Sequence, residues 1–328
     1  MEKKIEKNPE VDLLDKIKDI NYQPIFIMGV PRSGTSILYK LLGLTNEFNI
    51  ITSYHVIKYD ELLFNYLEKV ELEKKNELND FFKNHSQKTR DIDKLEINSD
   101  FPEEYGFILG QKKQSARITP QTSELFDELC RKIQFISNNT RPVLLKNPKD
   151  FSNFIFIKEK FPDSKFIFIH RNPAKTLNSQ VNAMNTLLNK KSMYMATLSP
   201  WYNKIFNNRF LLYYYRLLYS SNSGIRVNSA IKKLEKSTDV FINNIDLLDK
   251  QTDYCEIKYE DLCADPNNEI KKIFDFLGIE LKAQGFEEYL NQRKTRFLDS
   301  LVKRKKKIFN SLNQYILYCG YDQYKIFD

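Results

Sequence analysis

Residues 25–36 read IFIMGVPRSGTS, and this stretch decides the fold. Its first four residues, Ile25–Met28, form an apolar run typical of a buried β-strand, and a glycine-containing loop follows at once. The next apolar residues, up to Leu42, recur at helical spacing. A strand, a tight loop and a helix N-terminus together form an anion cradle, because backbone N–H groups and the helix dipole both favour negative charge there.

The loop has the spacing of the nucleotide-binding pattern G-x-x-x-x-G-K-[ST], with Gly29 and Gly34 as its glycines. Thr35 stands where that pattern has lysine, which contacts the β- and γ-phosphates of a nucleoside triphosphate. The loop therefore suits a smaller anion, such as a single 5′-phosphate with a group attached. A nucleotide or small-molecule kinase of the P-loop class is an alternative, but it requires the loop lysine and a metal-holding aspartate.

Three further β-rich apolar runs follow along the chain: Val143–Leu145, Phe166–Ile169 and Tyr254–Ile257. Helical patterns separate them, which predicts an α/β fold with a P-loop-type parallel β-sheet flanked by helices. Polar residues come directly after three of the four runs, in the glycine loop, at Lys146 and at Arg171. Because ligands of such sheets bind at the carboxyl ends of the strands, we expect the functional site there.

The glycine loop and a later segment together resemble the PAPS-dependent sulfotransferases, which use 3′-phosphoadenosine-5′-phosphosulfate (PAPS). Pro31–Ser36 (PRSGTS) resembles their 5′-phosphosulfate loop, and Phe161–Pro173 (FPDSKFIFIHRNP), with Ser179 after it, resembles their 3′-phosphate motif. Further matches, spread over about residues 24–278, are LKNP at 145–148, YEDL at 259–262 and IFDFLG at 273–278. The loop is most similar to the Pro-Arg-Ser-Gly-Thr branch, which includes bacterial and tyrosylprotein sulfotransferases.

The resemblance implies transfer of a sulfuryl group from PAPS to a hydroxyl or amine, by in-line displacement without a metal, leaving adenosine 3′,5′-bisphosphate. It implies that Arg171 and Ser179 hold the 3′-phosphate. It also implies that Arg32 and Lys146 are catalytic cations, which stabilise the sulfuryl oxygens and the bridging oxygen. The donor-binding residues implied are Arg32, Ser33, Gly34, Thr35, Ser36, Arg171 and Ser179.

A helix start is predicted directly after Arg171. Asn172 is a good N-cap and Pro173 is favoured at the first helical position. Ser179 then lies about two turns into this helix, while the guanidinium of Arg171 offers planar, bidentate phosphate recognition. His170, on the strand before Arg171, is expected to make a structural hydrogen bond.

The general base is the hardest role to assign. In the branch that the chain resembles, the base follows the loop helix by a short strand, which places it near residues 52–55. His55 is the capable side chain there. Glu104 and Glu103 are rivals, although Asp100 and Glu103 also have the spacing of a capping box with Asp100 as the N-cap.

The length of 328 residues fits one domain over 1–328, with a core at about 24–278 and a helical C-terminal extension at 281–328. Segments around 61–83 and 184–220 have helical patterns typical of insertions that cap an active site. The four cysteines are widely spaced, which favours neither a zinc site nor a disulfide framework. A charged N-terminus without an apolar signal region leads us to expect a cytoplasmic protein.

The net charge of +8 suits an anionic ligand, nucleic acid or an anionic membrane. A non-catalytic protein that binds nucleic acid or membrane surfaces is therefore a further alternative, based on the Lys303–Lys307 cluster and the aromatic residues at 194–219. The sulfotransferase resemblance instead implies a small-molecule, lipid or glycan acceptor and no nucleic-acid partner. In that case Lys303–Lys307 is either a solvated helix face or a peripheral contact with an anionic membrane.

Overall fold

A five-stranded parallel β-sheet lies at the centre of the protein. The computed structural model describes residues 10–85, 89–92, 95–219, 224–290, 295–323 and 325–328. The strands are β1 Pro24–Met28, β2 Asn49–Ile50, β3 Val143–Lys146, β4 Lys165–His170 and β5 Tyr254–Lys258. Their order across the sheet is β2-β3-β1-β4-β5, and each pairing is parallel. The predicted α/β fold with a parallel sheet is confirmed.

The four predicted strands are all present, each with ends within one residue of the predicted bounds. The edge strand β2, which pairs with β3, is not among the four apolar runs; the family resemblance implied only a short strand between the loop helix and residues 52–55, where β2 lies. A strand of two residues, Asn49–Ile50, is too short to show either a periodic pattern or an apolar run.

Helices cover both faces of the sheet. In chain order, those of the described residues are α1 Thr35–Leu44, α2 Ser53–Ile57, α3 Leu62–Leu67, α4 Glu71–Asn84, α5 Gly106–Lys113, α6 Ser123–Ser137, α7 Phe154–Lys160, α8 Pro173–Asn189, α9 Met193–Leu198, α10 Pro200–Asn207, α11 Arg209–Leu218, α12 Gly224–Asn244, α13 Tyr259–Ala264, α14 Pro266–Leu277, α15 Asp299–Val302 and α16 Lys305–Tyr318. Short 3-10 helices lie between some of them.

Alternate strand residues face two separate hydrophobic clusters. Phe26 and Phe166 belong to the larger cluster, to which α6, α12 and α16 contribute, while Ile27 and Ile167 belong to a second cluster that includes residues of α1 and α14. Both faces of the central strands are therefore covered, which explains why β1 is buried at every position. The sheet is packed between two apolar layers, and the polar residues lie at the edge formed by the carboxyl ends of its strands.

The two predicted insertions are helical. The segment around 61–83 forms α3 and α4, and the segment around 184–220 forms the end of α8 followed by α9, α10 and α11, with its last residue outside the described part. The C-terminal region packs α16 against α12 and α8, and its side chains enter the larger cluster. Residues 1–9, at the N-terminus discussed above, lie outside the described residues. No described helix is long and apolar enough to cross a membrane.

The Lys303–Lys307 cluster spans the end of α15 and the start of α16. Its four lysines are exposed, whereas Arg304 is half-buried. The Nε of Arg304 donates to Oδ1 of Asn228 at 3.2 Å, and an NH1 hydrogen is donated to the carbonyl of Ser300 at 2.9 Å. Arg304 therefore ties α15 and α16 to α12, and the lysines form the solvated part of the cluster.

Candidate active site

The loop between β1 and α1 curls tightly at the carboxyl edge of the sheet. Arg32 has φ of 73° and Gly34 has φ of 109°, both in the region that favours glycine. A Cβ atom on Gly34 would also overlap the ring of Tyr259. Both the backbone conformation and the lack of space therefore require glycine at this position. Helix α1 begins at Thr35, and the N–H groups of its first turn, which have no partner within the helix, supply donors for an anion.

A first cluster joins Arg32, Arg171 and Ser179 beside this loop. The Nε of Arg32 donates to Oγ of Ser179 at 3.1 Å, and NH1 of Arg171 donates to the carbonyl of Arg32 at 3.0 Å. Ser179 lies on α8, 147 positions after Arg32. Two arginine side chains, one from the loop after β1 and one from directly after β4, therefore lie together with a hydroxyl from the second turn of α8. This is an arrangement that suits phosphate.

Tyr259 and Glu260, at the start of α13, complete the surroundings of Arg171. The guanidinium carbon of Arg171 lies 4.3 Å from the centre of the Tyr259 ring, and the carboxylate of Glu260 accepts from the N–H of Asn172 at 3.1 Å. The sequence analysis gave neither residue a role. Their position directly after β5, like that of the polar residues after the other strands, is the signal that could have identified them.

Two buried polar atoms, one in the first cluster and one in the glycine loop, have no hydrogen-bond partner within the described residues: Nε of Arg171 and Oγ of Ser33. Buried polar atoms are almost always hydrogen-bonded in folded proteins. These two atoms lie on the loop and on the arginine that contacts it. They are therefore suited to a polar, negatively charged ligand held at the loop.

A second cluster joins Lys146, Ser36 and Glu104. Lys146, the last residue of β3, is fully buried, and its Nζ donates to Oγ of Ser36 at 3.0 Å and pairs with Oε1 of Glu104 at 2.9 Å. Burial alone would raise the pKa of Glu104, but the charge and hydrogen bond of Lys146, with the charge of Arg90, hold it below the ordinary carboxyl value. Glu104 is therefore ionised at neutral pH.

Glu103 lies behind this pair in a buried network. Its Oε1 accepts from the hydroxyl of Tyr194 at 2.5 Å and lies 3.5 Å from NH1 of Arg90, and its Oε2 accepts from the N–H of Glu104 at 3.1 Å. Burial raises the pKa of Glu103 despite the charge of Arg90. Since Tyr194 belongs to α9, the second insertion reaches the site through this hydroxyl.

The capping box predicted for Asp100 and Glu103 is wrong. The backbone at Pro102 forms an isolated antiparallel bridge with Thr52, and the next helix, α5, begins only at Gly106. Tertiary pairing overrides the local pattern here, and the carboxylate of Glu103 binds side chains from distant segments instead of a helix N-terminus.

His55 is buried on α2 and forms a capping box with Thr52 that the sequence analysis did not predict. Its Nδ1 accepts from the N–H of Thr52 at 3.1 Å and lies 3.2 Å from the hydroxyl of Thr52. Burial, aided by the charge of Lys75, lowers the pKa of His55 to about 3. The ring is neutral at physiological pH, and among the described residues it makes no hydrogen bond with Lys146 or Glu104.

The start of α8 matches the prediction made from its sequence. The side chain of Asn172 accepts from the N–H groups of Ala174 and Lys175, at 3.0 and 3.1 Å, and Pro173 is the first helical residue. The structural hydrogen bond expected for His170 is confirmed, because its ring nitrogens contact Tyr315 and Glu256, each at 3.0 Å.

The two clusters flank the loop, the first with the arginines and the second with the buried lysine. Of the residues predicted from the sequence, the first contains Arg32, Arg171 and Ser179, and the second contains Lys146 with Glu104; His55 belongs to neither. Within the described ranges, no group of three or more His, Cys, Asp and Glu side chains is arranged to hold a metal ion.

Comparison with known proteins shows which protein family the sequence matches. Residues 24–283 match the sequence profile of a family described as the sulfotransferase family. Two proteins named omega-hydroxy-beta-dihydromenaquinone-9 sulfotransferase Stf3, from Mycobacterium bovis (strain ATCC BAA-935 / AF2122/97) and Mycobacterium tuberculosis (strain CDC 1551 / Oshkosh), are each 24% identical to the chain over 283 residues. The match covers 78% of this chain but 63% of theirs, so the chain spans less than two thirds of these relatives.

Two solved structures have a similar fold. Sulfotransferase STF9 from Mycobacterium avium superposes with a TM-score of 0.67 at 14% identity, covering 95% of this chain and 81% of that one. Sulfotransferase STF1 from Mycobacterium tuberculosis H37Rv gives a TM-score of 0.56 at 14% identity, with 93% and 80% covered. At 14% sequence identity, the similarity to these two structures shows a shared fold alone.

Proposed function

The chain belongs to the sulfotransferase family, and from that premise we propose that it transfers a sulfuryl group from PAPS to a hydroxyl or amine of a small-molecule, lipid or glycan acceptor. The observation that carries the proposal is the meeting of Arg32, Arg171 and Ser179 beside the glycine loop. PAPS carries phosphate groups at the 3′ and 5′ positions of its ribose, so its binding site requires cationic, hydrogen-bonding contacts at two nearby places. The loop and the first cluster supply them.

The residues present fit that donor. We assign the 3′-phosphate to Arg171 and Ser179, and the 5′-phosphosulfate to the loop from Arg32 to Ser36. The unpartnered Nε of Arg171 and Oγ of Ser33 support the assignment, because an anionic ligand offers acceptors to both. When bound, PAPS supplies the sulfuryl group and a phosphate leaving group.

Lys146 and Arg32 serve in this proposal as the cations that balance charge during transfer. Lys146 is fully buried, so its charge acts where the local dielectric is low and where it needs no reorganisation. Its Nζ reaches Oγ of Ser36 at the start of α1, which places it beside the loop assigned to the phosphosulfate. No metal is needed for the charge balance in this scheme.

We assign the general base to Glu104 rather than His55. Glu104 is held in its ionised form 2.9 Å from Lys146, so it takes the acceptor's proton while Lys146 balances the charge on the leaving phosphate oxygen. In His55, Nδ1 accepts from a backbone N–H, and the proton of the neutral ring is therefore on Nε2. Neither nitrogen is then free to accept. The role predicted for His55 stays a prediction, tested below.

For the acceptor we propose a hydroxylated lipid as the first compound to test. The names of the two mycobacterial relatives give an omega-hydroxy-dihydromenaquinone as what they act on. The helices of the second insertion, rich in aromatic residues, reach Glu103, the neighbour of the proposed base, through the hydroxyl of Tyr194, which favours an apolar acceptor. We further propose that 1–328 is one domain, since side chains of α16 share the main hydrophobic cluster with the sheet. A cytoplasmic location and a membrane contact of Lys303–Lys307 stay predictions.

The test uses the full chain with ³⁵S-labelled PAPS. Hydroxylated isoprenoid quinols, simple long-chain alcohols, amines and sugars are offered separately, and formation of adenosine 3′,5′-bisphosphate and labelled product is followed with and without a chelator. We expect transfer to at least one acceptor, and equal rates with the chelator present. Failure to bind adenosine 3′,5′-bisphosphate by calorimetry would sink the donor assignment, and activity that returns only with magnesium would refute the metal-free scheme.

A further inference from the structure

Helix α11 presents an apolar stripe to solvent. Phe210, Tyr213, Tyr214 and Leu217 are 89%, 65%, 57% and 56% exposed. Their spacing of i, i+3, i+4 and i+7 puts them on one face of the helix. Single exposed apolar side chains are ordinary in proteins, whereas four in register on one helix form a surface that a partner covers.

The opposite face of α11 is already packed, so the stripe is not a displaced core face. Leu211, Leu212, Tyr215 and Leu218 lie against a small cluster formed with Leu188, Ile205 and Tyr219. Arg216 fixes the helix further, because its Nε and NH2 donate to the carbonyls of Leu188 and Asn189, each at 2.9 Å. The helix is therefore apolar on two sides, one turned inward and one outward.

The sequence on both sides of α11 carries charge of one sign. Residues 173–234 contain no Asp or Glu, although the chain average of 43 in 328 would put about eight there, and they contain nine Lys and Arg. Lys190, Lys204 and Arg209 are exposed close to the stripe in sequence. An apolar stripe bordered by cations complements a surface that is apolar inside and negatively charged outside.

We propose that the α11 stripe docks on the surface of an anionic lipid bilayer. Aromatic side chains, tyrosine and tryptophan above all, prefer the headgroup region, and nearby Lys and Arg are attracted to anionic lipids. Trp201, half exposed on α10, lies beside the helix with its ring centre 5.6 Å from that of Tyr215. This surface is distinct from Lys303–Lys307, and the proposal does not rest on the donor or acceptor assigned above.

The chain carries its own probe for this docking. Trp201 is its single tryptophan, so intrinsic fluorescence reports from the surface beside α11, where the Trp201 ring lies near Tyr215. We expect a blue shift, and quenching by brominated lipid, when the full chain is mixed with vesicles of three parts phosphatidylcholine to one part phosphatidylglycerol. Cosedimentation should be clearly stronger with these vesicles than with pure phosphatidylcholine. Equal binding to both, or binding to neither, overturns the proposal.

Variants distinguish lipid binding by the stripe from nonspecific lipid binding by exposed apolar residues elsewhere. Phe210→Ser combined with Tyr213→Ser, Tyr214→Ser and Leu217→Ser should weaken cosedimentation about tenfold or more, since each exposed apolar side chain contributes to burial in the interface. The matched control combines Leu72→Ser, Leu247→Ser and Leu317→Ser, which are exposed on other elements, and should bind like the wild type. An unchanged melting temperature verifies folding. Full binding by the stripe variant contradicts the proposal.

A second set of variants tests the charges. Lys204→Gln with Arg209→Gln should reduce binding to the anionic vesicles about fivefold or more, whereas Lys303→Gln with Lys306→Gln should have the smaller effect. The reverse order would assign membrane contact to the C-terminal cluster and reject α11. Two results would assign the stripe to another occupant. One is a concentration-dependent dimer, in sedimentation without lipid, that the stripe variant abolishes; the other is a single-stranded RNA that displaces the vesicles and depends on the same four residues.

Discussion

Arg171 illustrates how single residues are held ready at this site. One face of its guanidinium stacks over Tyr259, its NH1 is tied to the carbonyl of Arg32, and its Nε is buried with no partner in the described part of the chain. A side chain restrained in this way loses little conformational freedom when it binds. The contact that it makes with a phosphate should therefore contribute strongly to affinity.

Arg171→Ala should remove most of the preference for adenosine 3′,5′-bisphosphate over AMP. The expected loss is about 1.5–3 kcal/mol in binding of the bisphosphate, the magnitude of a charge-assisted hydrogen bond, with little change for AMP. Calorimetry with both ligands measures it. Lys271→Ala, which removes an exposed cation on α14, is the control for net charge, and a wild type that binds both ligands equally would contradict the assignment.

Glu104→Gln should lower turnover by roughly 10²–10⁴-fold while affinity for adenosine 3′,5′-bisphosphate is retained. His55→Gln, its comparison variant, should retain most of the turnover and instead lower the melting temperature through loss of the cap on α2. Because the pKa of Glu104 is held below the ordinary carboxyl value, its protonation should reduce the rate only at pH values below the ordinary carboxyl range. The reverse outcome, a large loss with His55→Gln at unchanged stability, returns the base to His55.

The residues of the first cluster could be predicted because each lies in a short contiguous motif. Arg32 lies in the glycine loop, and Arg171 comes just before a helix start that its neighbours predict. The pairing of Glu104 with Lys146 is different, since it joins the end of β3 to a residue 42 positions earlier that lies outside any helix or strand. No local pattern encodes that contact, and the capping-box pattern at Glu103 was misleading for the same reason.

At the scale of elements, α8 connects the two halves of the proposed donor site. It begins beside Arg171, and about two turns later Ser179 and Gln180 hold the glycine loop. Ser179 accepts from Arg32, and Gln180 donates to the carbonyl of Pro31 at 2.8 Å. The position of the loop therefore depends on where α8 begins. A substitution at Asn172, the N-cap of α8, tests how firmly the start of this helix is fixed.

Asn172→Ala should destabilise the protein by about 1 kcal/mol, within the range of roughly 0.5–2 kcal/mol found for lost N-caps. The side chain of Asn172 satisfies two N–H groups of the first turn of α8, which would otherwise lack a protein partner. Urea unfolding measures the change. Asn172→Ser, which keeps an acceptor at this position, should recover most of the loss, and equal destabilisation by both substitutions would show that the cap is not the cause.

The strands were predictable because the sheet is covered on both faces. Phe26 and Ile27 are buried on opposite sides, so β1 reads as an uninterrupted apolar run. The edge strand β2 has only two residues and depends on its pairing with β3, which the sequence near Asn49 does not reveal. The outward direction of the α11 stripe could not be read from the aromatic residues at 194–219, because periodicity alone does not distinguish an inward from an outward apolar face.

At the scale of the whole molecule, the proposed donor site draws residues from the loop after β1, from β3, from directly after β4, and from α1 and α8. A ligand bound there should therefore stabilise the entire fold. Adenosine 3′,5′-bisphosphate at a hundred times its dissociation constant should add about 2.7 kcal/mol to the free energy of unfolding. A rise in melting temperature with ligand concentration measures it. Arg171→Ala should lose most of the rise at the same concentration, and an equal rise with AMP would indicate that the second phosphate is not recognised.

The parallel pairing of β1 with β3 and β4 has a consequence for the order of events during folding. Its register brings Ile27 beside Lys146 and Met28 beside Phe168, partners separated by more than a hundred positions. Closing such long loops costs chain entropy before any contact is gained, so these pairings form slowly compared with helices. Arg32, Lys146 and Arg171 extend from the ends of the same three strands. The chain can therefore hold a donor only after its slowest step is complete, and a bound donor should slow unfolding without accelerating folding.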